Sequence, residues 1–290
     1  MRVIILGVSG LIGHQLFLHF SNCFETYGVL HKKKDYYGNL SLFSEKNVIE
    51  NIDVNKIEIL KEIILGINPD VILNCVGITK RKEDITNPIS AIRTNALFPH
   101  LLADCARSIK KRVIHFSTDC VFDGKTGNYS EKSLTSAEDV YGRTKALGEI
   151  MYENSLTIRS SFIGQELFGK TELLEWFLSQ KGKQILGYTN TYYSGVSTVF
   201  MAKTIASIIA DYPDLTGLFH LATEKPISKY ELLCIARNAF KTDVEIIPAN
   251  KYVHNPTLNG TKLRKAINLD VPSWEIMMQQ LAVNKHFYKI

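Results

Sequence analysis

The first half of this 290-residue chain alternates short β-branched runs with longer amphipathic stretches. The short runs predict strands, and some of them, such as Val71-Ile72-Leu73, are apolar at every position. A strand with no polar face is typical of a sheet that is covered by helices on both sides. Strands that alternate with helices favour an α/β fold over separate layers of strands and helices. The pattern therefore predicts a doubly wound parallel sheet.

The rhythm loosens in the second half, where turn residues are more frequent. The predicted strands are Arg2–Val8, Glu25–Leu30, Asn47–Ile52, Val71–Gly77, Arg112–Thr118, Leu156–Phe162, Leu218–Ala222 and Val244–Pro248. The predicted helices are Leu11–Asn22, Lys56–Gly66, Ala91–Lys110, Val140–Glu153, Glu172–Gln180, Val199–Ala210 and Lys229–Phe240. Gly182, Gly187 and Gly195 predict loops. We predict a first domain over residues 1–160 and a smaller C-terminal α/β domain over 161–290, with about 195–215 packing back onto the first.

A glycine-rich turn, Gly7-Val8-Ser9-Gly10-Leu11-Ile12-Gly13, joins the first predicted strand to the first helix. Glycines allow a tight turn and a close approach to a pyrophosphate, while the helix N-terminus offers unpaired N–H groups. Gly7, Ser9, Gly10, Leu11, Ile12 and Gly13 are therefore candidate cofactor contacts. The spacing differs from the G-x-G-x-x-G fingerprint, and three glycines alone occur at many strand–helix corners. At this position the turn predicts a Rossmann-like dinucleotide-binding domain, which leaves residues 161–290 as the substrate-binding domain.

A tyrosine and a lysine, Tyr141 and Lys145, share one face of a predicted helix because they are four residues apart. A nearby cation lowers the pKa of a phenol, which can then exchange a proton with a carbonyl near neutral pH. The same spacing is common on surface helices, so the pair alone fixes no activity. Thr118 ends the predicted fifth strand, at the edge where open parallel sheets bind ligands. Its hydroxyl is a candidate hydrogen-bond partner for a substrate carbonyl.

In combination, these motifs resemble the extended short-chain dehydrogenase/reductase superfamily and, within it, the dTDP-4-dehydrorhamnose reductase-like group. The resemblance rests on the three glycines and on the segments Ser117–Gly124 and Tyr141–Glu149. Weaker matches are Asn74–Gly77, Asn95, Arg159–Ser161, Gly217–Ala222 and Asn259–Leu263. The resemblance implies an NAD(P)H-dependent oxidoreductase that reduces a 4-keto-6-deoxy nucleotide sugar in deoxysugar and polysaccharide biosynthesis.

The resemblance also implies roles for individual residues. It makes Thr118, Tyr141 and Lys145 catalytic: Tyr141 would donate the proton, Lys145 would hold the nicotinamide ribose and lower the tyrosine pKa, and Thr118 would bind the reacting carbonyl. It places further cofactor contacts at Asp53, Val54, Cys75, Val76, Gly77 and Asn95. Asp53 and Val54 would lie at the adenine. Asn95 would support the active lysine.

Three residues, Asp119, Cys120 and Phe162, are predicted to bind the sugar. Cys120 stands where the resembling group often has tyrosine, and Phe162 where it often has tryptophan. Both positions touch the sugar in that group, so the sequence leaves the exact 4-keto-6-deoxy sugar open. The loop Thr189–Ser197 also keeps little of the group's pattern.

The end of the second predicted strand bears on the choice of cofactor. An Asp or Glu at this point hydrogen-bonds the 2′-hydroxyl of NAD. Here the strand runs into His31, Lys32 and Lys33 with no carboxylate before Asp35. A lysine supplies a charge-assisted hydrogen bond to a 2′-phosphate. These three residues are therefore predicted cofactor contacts, with NADPH as the cofactor and NADH as the alternative. The alternative interpretation of the segment is a surface loop whose lysines point into water.

Two other functions stay open. A nucleotide-sugar 4,6-dehydratase or epimerase shares the glycine turn, the hydroxyl and the Tyr-x-x-x-Lys pair. Dehydratases of the superfamily carry Thr-Asp-Glu at the strand end, whereas Cys120 follows Asp119 here, which favours reduction. The second alternative is a non-catalytic regulatory subunit with the same fold, against which the intact Thr118, Tyr141 and Lys145 set argues.

Composition excludes several broader classes. The five cysteines are odd in number and scattered, which predicts neither disulfides nor a metal site and suits the cytoplasm. No apolar run approaches the ~18 residues of a membrane span. A net charge of +5 is modest for this length and does not predict nucleic-acid binding. A nucleotide sugar is the predicted partner, a homodimer stays open, and His115 and His220 are expected to be core histidines.

Overall fold

A computed structural model describes residues 1–38, 40–43, 47–80 and 87–283. The chain divides by its internal contacts into two compact units. The first unit comprises Met1–Ser117, Asp139–Ile158 and Ala202–Leu218. The second comprises Thr118–Glu138, Arg159–Met201 and the residues from Phe219 onward.

The strands and helices are numbered in chain order. The strands are β1 (Arg2–Leu6), β2 (Glu25–Val29), β3 (Val48–Ile49), β4 (Val71–Asn74), β5 (Arg112–Ser117), β6 (Ser155–Arg159), β7 (Phe162–Ile163), β8 (Gln184–Tyr188), β9 (Tyr192–Tyr193), β10 (Val196–Ser197), β11 (Gly217–His220), β12 (Ile227–Ser228) and β13 (Glu245–Ala249). The α-helices are α1 (Leu11–Phe20), α2 (Ile57–Ile67), α3 (Pro88–Ala91), α4 (Phe98–Ser108), α5 (Val140–Leu147), α6 (Leu173–Leu178), α7 (Thr198–Asp211), α8 (Lys229–Phe240), α9 (Thr261–Ala266) and α10 (Trp274–Val283).

A seven-stranded sheet has the strand order β11-β6-β5-β4-β1-β2-β3. The neighbours from β3 to β5 pair in parallel, and all four residues of β4 are buried. Burial on both faces explains why this strand has no alternation of polar and apolar residues. The order is that of a doubly wound dinucleotide-binding sheet. The prediction of a Rossmann-like α/β fold is confirmed.

The second unit contains short strand pairs rather than a large sheet. Strand β13 runs parallel to β8, β12 runs antiparallel to β9, and β10 runs parallel to β7. Helix α8 begins with a capping box, in which Ser228 and Glu231 satisfy each other's backbone N–H groups. This cap explains why the sequence predicts the bounds of α8 correctly.

The predicted helix Ala91–Lys110 is in fact broken into α3, a π-helix at Ile92–Leu97 and α4. In an α-helix the Arg93 carbonyl would accept from the Leu97 N–H, but here it accepts from the Phe98 N–H. In the π register each carbonyl pairs with the N–H five residues ahead instead. The π-helix therefore sets the orientation of Asn95.

Other predictions were wrong at the ends of elements. Gly187 lies inside β8 rather than in a loop. Glycine is needed at this position of the strand because a Cβ there would be 2.8 Å from the Tyr230 ring of α8. The predicted helix Val140–Glu153 ends at Leu147. The predicted strand Leu156–Phe162 is two strands, β6 and β7, separated at residues 160–161.

Candidate active site

The glycine turn is closed by a hydrogen bond of 3.1 Å from Gly10 N to Gly7 O. Gly7 has a φ of +81°, and a Cβ on Gly13 would lie 2.1 Å from Gly7 O. No side chain caps α1 at Gly10, and the first turn of α1 has no acidic residue. The tight turn and the uncapped N–H groups of Leu11 and Ile12 at the start of α1 therefore fit the pyrophosphate of a dinucleotide.

Residues after β4 lie against this turn. A Cβ on Gly7 would be 3.2 Å from Val76 Cγ2 and 3.3 Å from Cys75 O. The Cys75 N–H donates to Leu6 O at 3.1 Å, because β4 and β1 are neighbours. Burial raises the pKa of the Cys75 thiol. The structure thus brings the predicted residues Cys75 and Val76 to the glycine turn.

Asn95 connects the segment after β4 to helix α5. Its buried side chain accepts from Ile78 N at 2.8 Å and donates to Ile78 O at 3.0 Å and Thr144 Oγ1 at 3.3 Å. A Cβ on Gly148 would lie 1.9 Å from Asn95 O, so the backbones meet closely at the end of α5. Gly77 is also near, since its Cβ would be 3.5 Å from Asn95 Oδ1. Asn95 therefore fixes the residue that precedes Lys145.

Lys145 is a buried cation on α5. Its Nζ donates to Phe116 O in β5 at 2.7 Å and lies 3.4 Å from His115 Nε2. Burial lowers the pKa of Lys145 to about 8, against the opposing effects of Glu149 and Cys75. The ammonium therefore still carries its charge at neutral pH, but it loses its proton far more easily than an exposed lysine.

Tyr141 lies one helical turn before Lys145 and is half-buried. Asp139 caps α5 by accepting from Gly142 N at 2.8 Å, and it pairs with Lys80 Nζ at 2.7 Å. Burial raises the pKa of Asp139, but the bonds from Gly142 and Lys80 outweigh it and the pKa falls. Lys80 Nζ also lies 5.9 Å from the centre of the Tyr141 ring. The sequence analysis missed Lys80, although a basic residue shortly after β4 could have been found from its place beyond a strand end.

The second unit holds the predicted Thr118, Asp119 and Cys120 together in one turn. The Thr118 Oγ1 accepts from Cys120 N and donates to Asp119 Oδ1, both at 3.1 Å. Thr118 and Asp119 are buried, and Thr118 begins a short 3-10 helix at Asp119–Val121. Phe162, the third predicted sugar contact, is half-buried in β7 and pairs with Val196 of β10.

The basic residues after β2 lie on the surface. His31, Lys32 and Lys33 are exposed, and His31 Nδ1 is 3.4 Å from Ile52 O. The buried Tyr37 hydroxyl accepts from Lys32 N at 3.3 Å and from Ser9 Oγ at 3.4 Å. Tyr37 thus links the predicted Ser9 and Lys32. No pattern in the sequence indicates this role.

Asp53 and Val54 lie beyond β3. The Asp53 carboxylate accepts from Asn55 N at 3.0 Å and from Asn55 Nδ2 at 3.2 Å, which forms a local turn. The Val54 side chain packs in the hydrophobic core beside Leu60 and Leu6. Any contact that Val54 makes with a base is therefore made by its backbone.

Comparison with known proteins agrees with this geometry. The RmlD substrate binding domain family matches residues 1–285. The dTDP-4-dehydrorhamnose reductase of Escherichia coli strain K12 is 24% identical over 314 residues and covers 97% of each chain. Methionine adenosyltransferase 2 subunit beta of Mus musculus is 26% identical over 286 residues, which cover 90% of this chain and 81% of that protein.

A solved structure shares the fold. The crystal structure of dTDP-4-dehydrorhamnose reductase from Bacillus anthracis strain Ames in complex with NADP has a TM-score of 0.81 at 19% identity, and the match covers 98% of this chain and 99% of that one. At this identity the likeness shows the architecture alone. The family match, in contrast, spans nearly the whole sequence. This protein therefore belongs to the RmlD substrate binding domain family.

Proposed function

We propose that this chain is an NADPH-dependent reductase of a 4-keto-6-deoxy nucleotide sugar and acts in deoxysugar biosynthesis. The observation that carries the proposal is the buried Lys145 ammonium, which is bonded to Phe116 O and shares a helix face with Tyr141. The likeness to the Escherichia coli reductase along 97% of the chain supports the same activity. In this proposal residues 1–160 bind the dinucleotide and residues 161–290 bind the sugar.

The residues present fit a nicotinamide dinucleotide. The N–H groups of the turn from Gly7 to Gly13 would hold the pyrophosphate, and Lys145 would hold the ribose next to the nicotinamide. Lys32 and Lys33 would hold the 2′-phosphate of NADPH. When bound, the cofactor supplies the hydride that reduces the carbonyl carbon.

The chain's own residues handle the proton. Tyr141 donates its phenolic proton to the carbonyl oxygen, and the Lys145 charge stabilises the phenolate that remains. The Thr118 hydroxyl donates a hydrogen bond to Asp119 Oδ1 at 3.1 Å. A hydroxyl has one proton to donate, so Thr118 must turn from Asp119 to the substrate oxygen in order to bind it. Asp119 is therefore proposed to orient Thr118 until the sugar binds.

The direct test is an assay of the purified full-length chain with NADPH and a dTDP-4-keto-6-deoxy sugar. We expect loss of NADPH absorbance in step with formation of a reduced sugar nucleotide, and far slower formation of product by Tyr141→Phe under the same conditions. Conversion of the sugar nucleotide without consumption of NADPH would instead identify an epimerase or dehydratase. Absence of any conversion across several nucleotide sugars would contradict the proposal.

A second candidate follows from the relative in Mus musculus, which is a subunit of another enzyme. As a non-catalytic subunit, this chain would bind NADPH and a partner protein without turnover. The buried Lys145 beside a candidate proton donor favours catalysis. Tight NADPH binding combined with no turnover of any keto sugar would favour the subunit.

We also propose that the protein forms a homodimer through α4 and α5. Leu97, Leu101, Leu147 and Met151 are exposed apolar side chains that lie in α4 and α5 or within four residues of their ends. His100 Nε2 donates to Leu147 O at 2.7 Å, which places the two helices side by side. An apolar patch of this kind is unfavourable in water, and a second copy could cover it symmetrically.

Light scattering on the intact protein tests the dimer. Replacing both Leu97 and Leu147 with Glu should yield monomers, because two carboxylates would be buried at the contact. The matched change of two exposed glutamates in α2, Glu58→Gln and Glu62→Gln, should leave the mass unchanged. A monomeric unmodified protein would contradict the proposal.

The cytoplasm is the proposed compartment. No two of the five cysteines form a disulfide, and all five lie within the described ranges. Thiols are maintained in reducing compartments. Among the described residues, no helix combines the length and apolar character that crossing a membrane requires. Cell fractionation with an antibody to the protein tests the location.

A further inference from the structure

A buried line of polar side chains runs from β4 through β5 to Lys145. Asn74 and His115 are opposite each other in the paired strands, and both are fully buried. Asn74 Nδ2 lies 3.1 Å from His115 Nδ1, and His115 Nε2 lies 3.4 Å from Lys145 Nζ. All three residues belong to the first unit. The proposed reaction so far gives no role to Asn74 or His115.

The backbone fixes the direction of the Asn74 amide. The Val76 N–H can only donate, and it bonds to Asn74 Oδ1 at 3.1 Å. The amide nitrogen of Asn74 therefore faces His115. An amide NH2 group also only donates, so His115 Nδ1 must accept and must carry no proton.

The proton of His115 consequently resides on Nε2. Burial holds the pKa of His115 well below its ordinary value, and the charge of Lys145 and that of His100 lower it further. A neutral imidazole carries one proton, and Nδ1 has none. In the opposite tautomer the Nδ1–H group would meet the Asn74 NH2 group, a second donor, at 3.1 Å. This distance is shorter than the 3.4 Å between Nε2 and Lys145 Nζ, so that tautomer is disfavoured.

The Nε2–H group of His115 and the ammonium of Lys145 are therefore two hydrogen-bond donors that lie next to each other. The ammonium keeps Phe116 O as an acceptor at 2.7 Å, but His115 offers it none. A neutral amine could accept from Nε2–H, whereas an ammonium cannot. Glu149 and Cys75 act in the other direction and favour the charged lysine. Tyr141 lies one helical turn before Lys145 on the same helix.

We propose that Asn74 and His115 are positioning residues that present an N–H group, and not an acceptor, to the Lys145 ammonium. They direct the remaining donors of Lys145 toward Phe116 and the ligand. The arrangement itself stands on the structure, and its effect on turnover rests on the proposed function. Two measurements separate these parts.

The first measurement is ¹⁵N NMR of the histidine rings in the unmodified protein, with the His115→Gln variant used to identify the signal. We expect a protonated Nε2 and a bare Nδ1 at neutral and mildly alkaline pH. A protonated Nδ1 would overturn the proposal. In Asn74→Asp, a carboxylate would accept from Nδ1–H, so the tautomer should switch. None of these observations requires turnover.

The second measurement is the pH dependence of kcat/KM for NADPH. The unmodified enzyme should lose activity above about pH 8, as Lys145 loses its charge. Glutamine at position 115 can offer an oxygen to the ammonium, so His115→Gln should move this loss upward by roughly one pH unit. His220→Gln, which removes a buried histidine of the second unit, should leave it in place.

An unshifted pH profile in both His115→Gln and Asn74→Asp would overturn the proposal. A uniform loss of activity at every pH would show that both residues act only in folding, which would overturn it as well. If the chain reduces no sugar, the Lys145 titration is followed by NMR in the same variants, and the expected shift is the same. Failure of the proposed function is thus distinguishable from failure of this inference.

Discussion

The two ends of the proposed cofactor site, both within the first unit, are held in opposite ways. At the reacting end, Asn74, Asn95, His115 and Lys145 are buried and lie 2.7 to 3.4 Å from their partners. At the adenosine end, the side chains of His31, Lys32 and Lys33 are exposed. Groups fixed before the ligand arrives cost no reorganisation during reaction. Exposed lysines, in contrast, become ordered when the ligand binds.

This difference separates catalysis from cofactor choice. A change at the reacting end disturbs a connected set of buried bonds, so its effect should be large and should spread to neighbouring groups. Charges at the adenosine end are screened by water and salt, so changes there should be small and local. Four sets of substitutions, in order of decreasing effect, test the contrast.

The largest effect is expected from Tyr141→Phe. Turnover should fall by roughly 10²- to 10⁴-fold, the range for a lost general acid, while the NADPH dissociation constant stays within about twofold. Steady-state kinetics and fluorescence titration measure the two quantities. Tyr36→Phe is the control, because Tyr36 is an exposed tyrosine remote from α5 in sequence. Near-normal turnover in Tyr141→Phe would remove the proton donor from the proposal.

Gly148→Ala should break the reacting end without removing any chemical group. The new methyl would lie 1.9 Å from Asn95 O, so the backbone must shift, at about 1–3 kcal/mol of folding free energy. Denaturant unfolding measures this loss. Gly66→Ala in α2 is the control, since nothing lies within 4 Å of its Cβ, and it should stabilise the helix slightly. If Gly148→Ala had the same free energy of unfolding as the unmodified protein, the close contact between residue 148 and Asn95 O would be contradicted.

Substitutions at the sugar contacts proposed in the second unit should change the choice of sugar, and they should affect neither the proton transfer nor the choice of cofactor. Cys120→Tyr and Phe162→Trp should change the relative kcat/KM of different keto sugars by about tenfold, as expected for reshaping a pocket. NADPH binding should be nearly unchanged, because these residues are proposed to touch the sugar alone. A tenfold change in the NADPH dissociation constant with an unchanged sugar preference would show that both residues are misplaced.

The smallest effect is expected at the adenosine end. Lys32→Ala combined with Lys33→Ala should lower kcat/KM for NADPH by roughly fivefold and leave that for NADH unchanged. The NADPH preference should also weaken as salt is raised. Lys181→Ala with Lys183→Ala, two exposed lysines of the second unit, is the matched control. Equal use of both cofactors by the unmodified enzyme would contradict the assignment.

The features that were predicted correctly from the sequence are those that residues close together in the chain determine. The glycine turn, the helix spacing of Tyr141 and Lys145, and the alternation of strands and helices in the first half of the chain all follow from local patterns. The bond between Asn74 and His115 joins residues 41 positions apart, and only strand pairing reveals it. His115 was expected to be a core histidine and is buried, but burial alone did not indicate that it faces Lys145.

Other features escaped because they depend on packing. The π-helix is a change of hydrogen-bond register within a longer helical stretch, which a helical period does not show. Gly187 was expected in a loop, although it is needed for the approach of α8 to β8. Tyr37 acquires its role only through side-chain contacts made in the folded chain.

The π-helix at Ile92–Leu97 has a consequence for aligning and redesigning relatives. One turn of a π-helix accommodates an extra residue, and each residue of an α-helix rotates the chain by about 100°. A one-residue deletion in this segment would therefore restore regular pitch while rotating Asn95 away from Ile78 and Thr144. Such a deletion would look harmless in a helix of this length. It should uncouple α5 from the segment after β4, so a single-residue gap at this point in an alignment with a relative is not neutral.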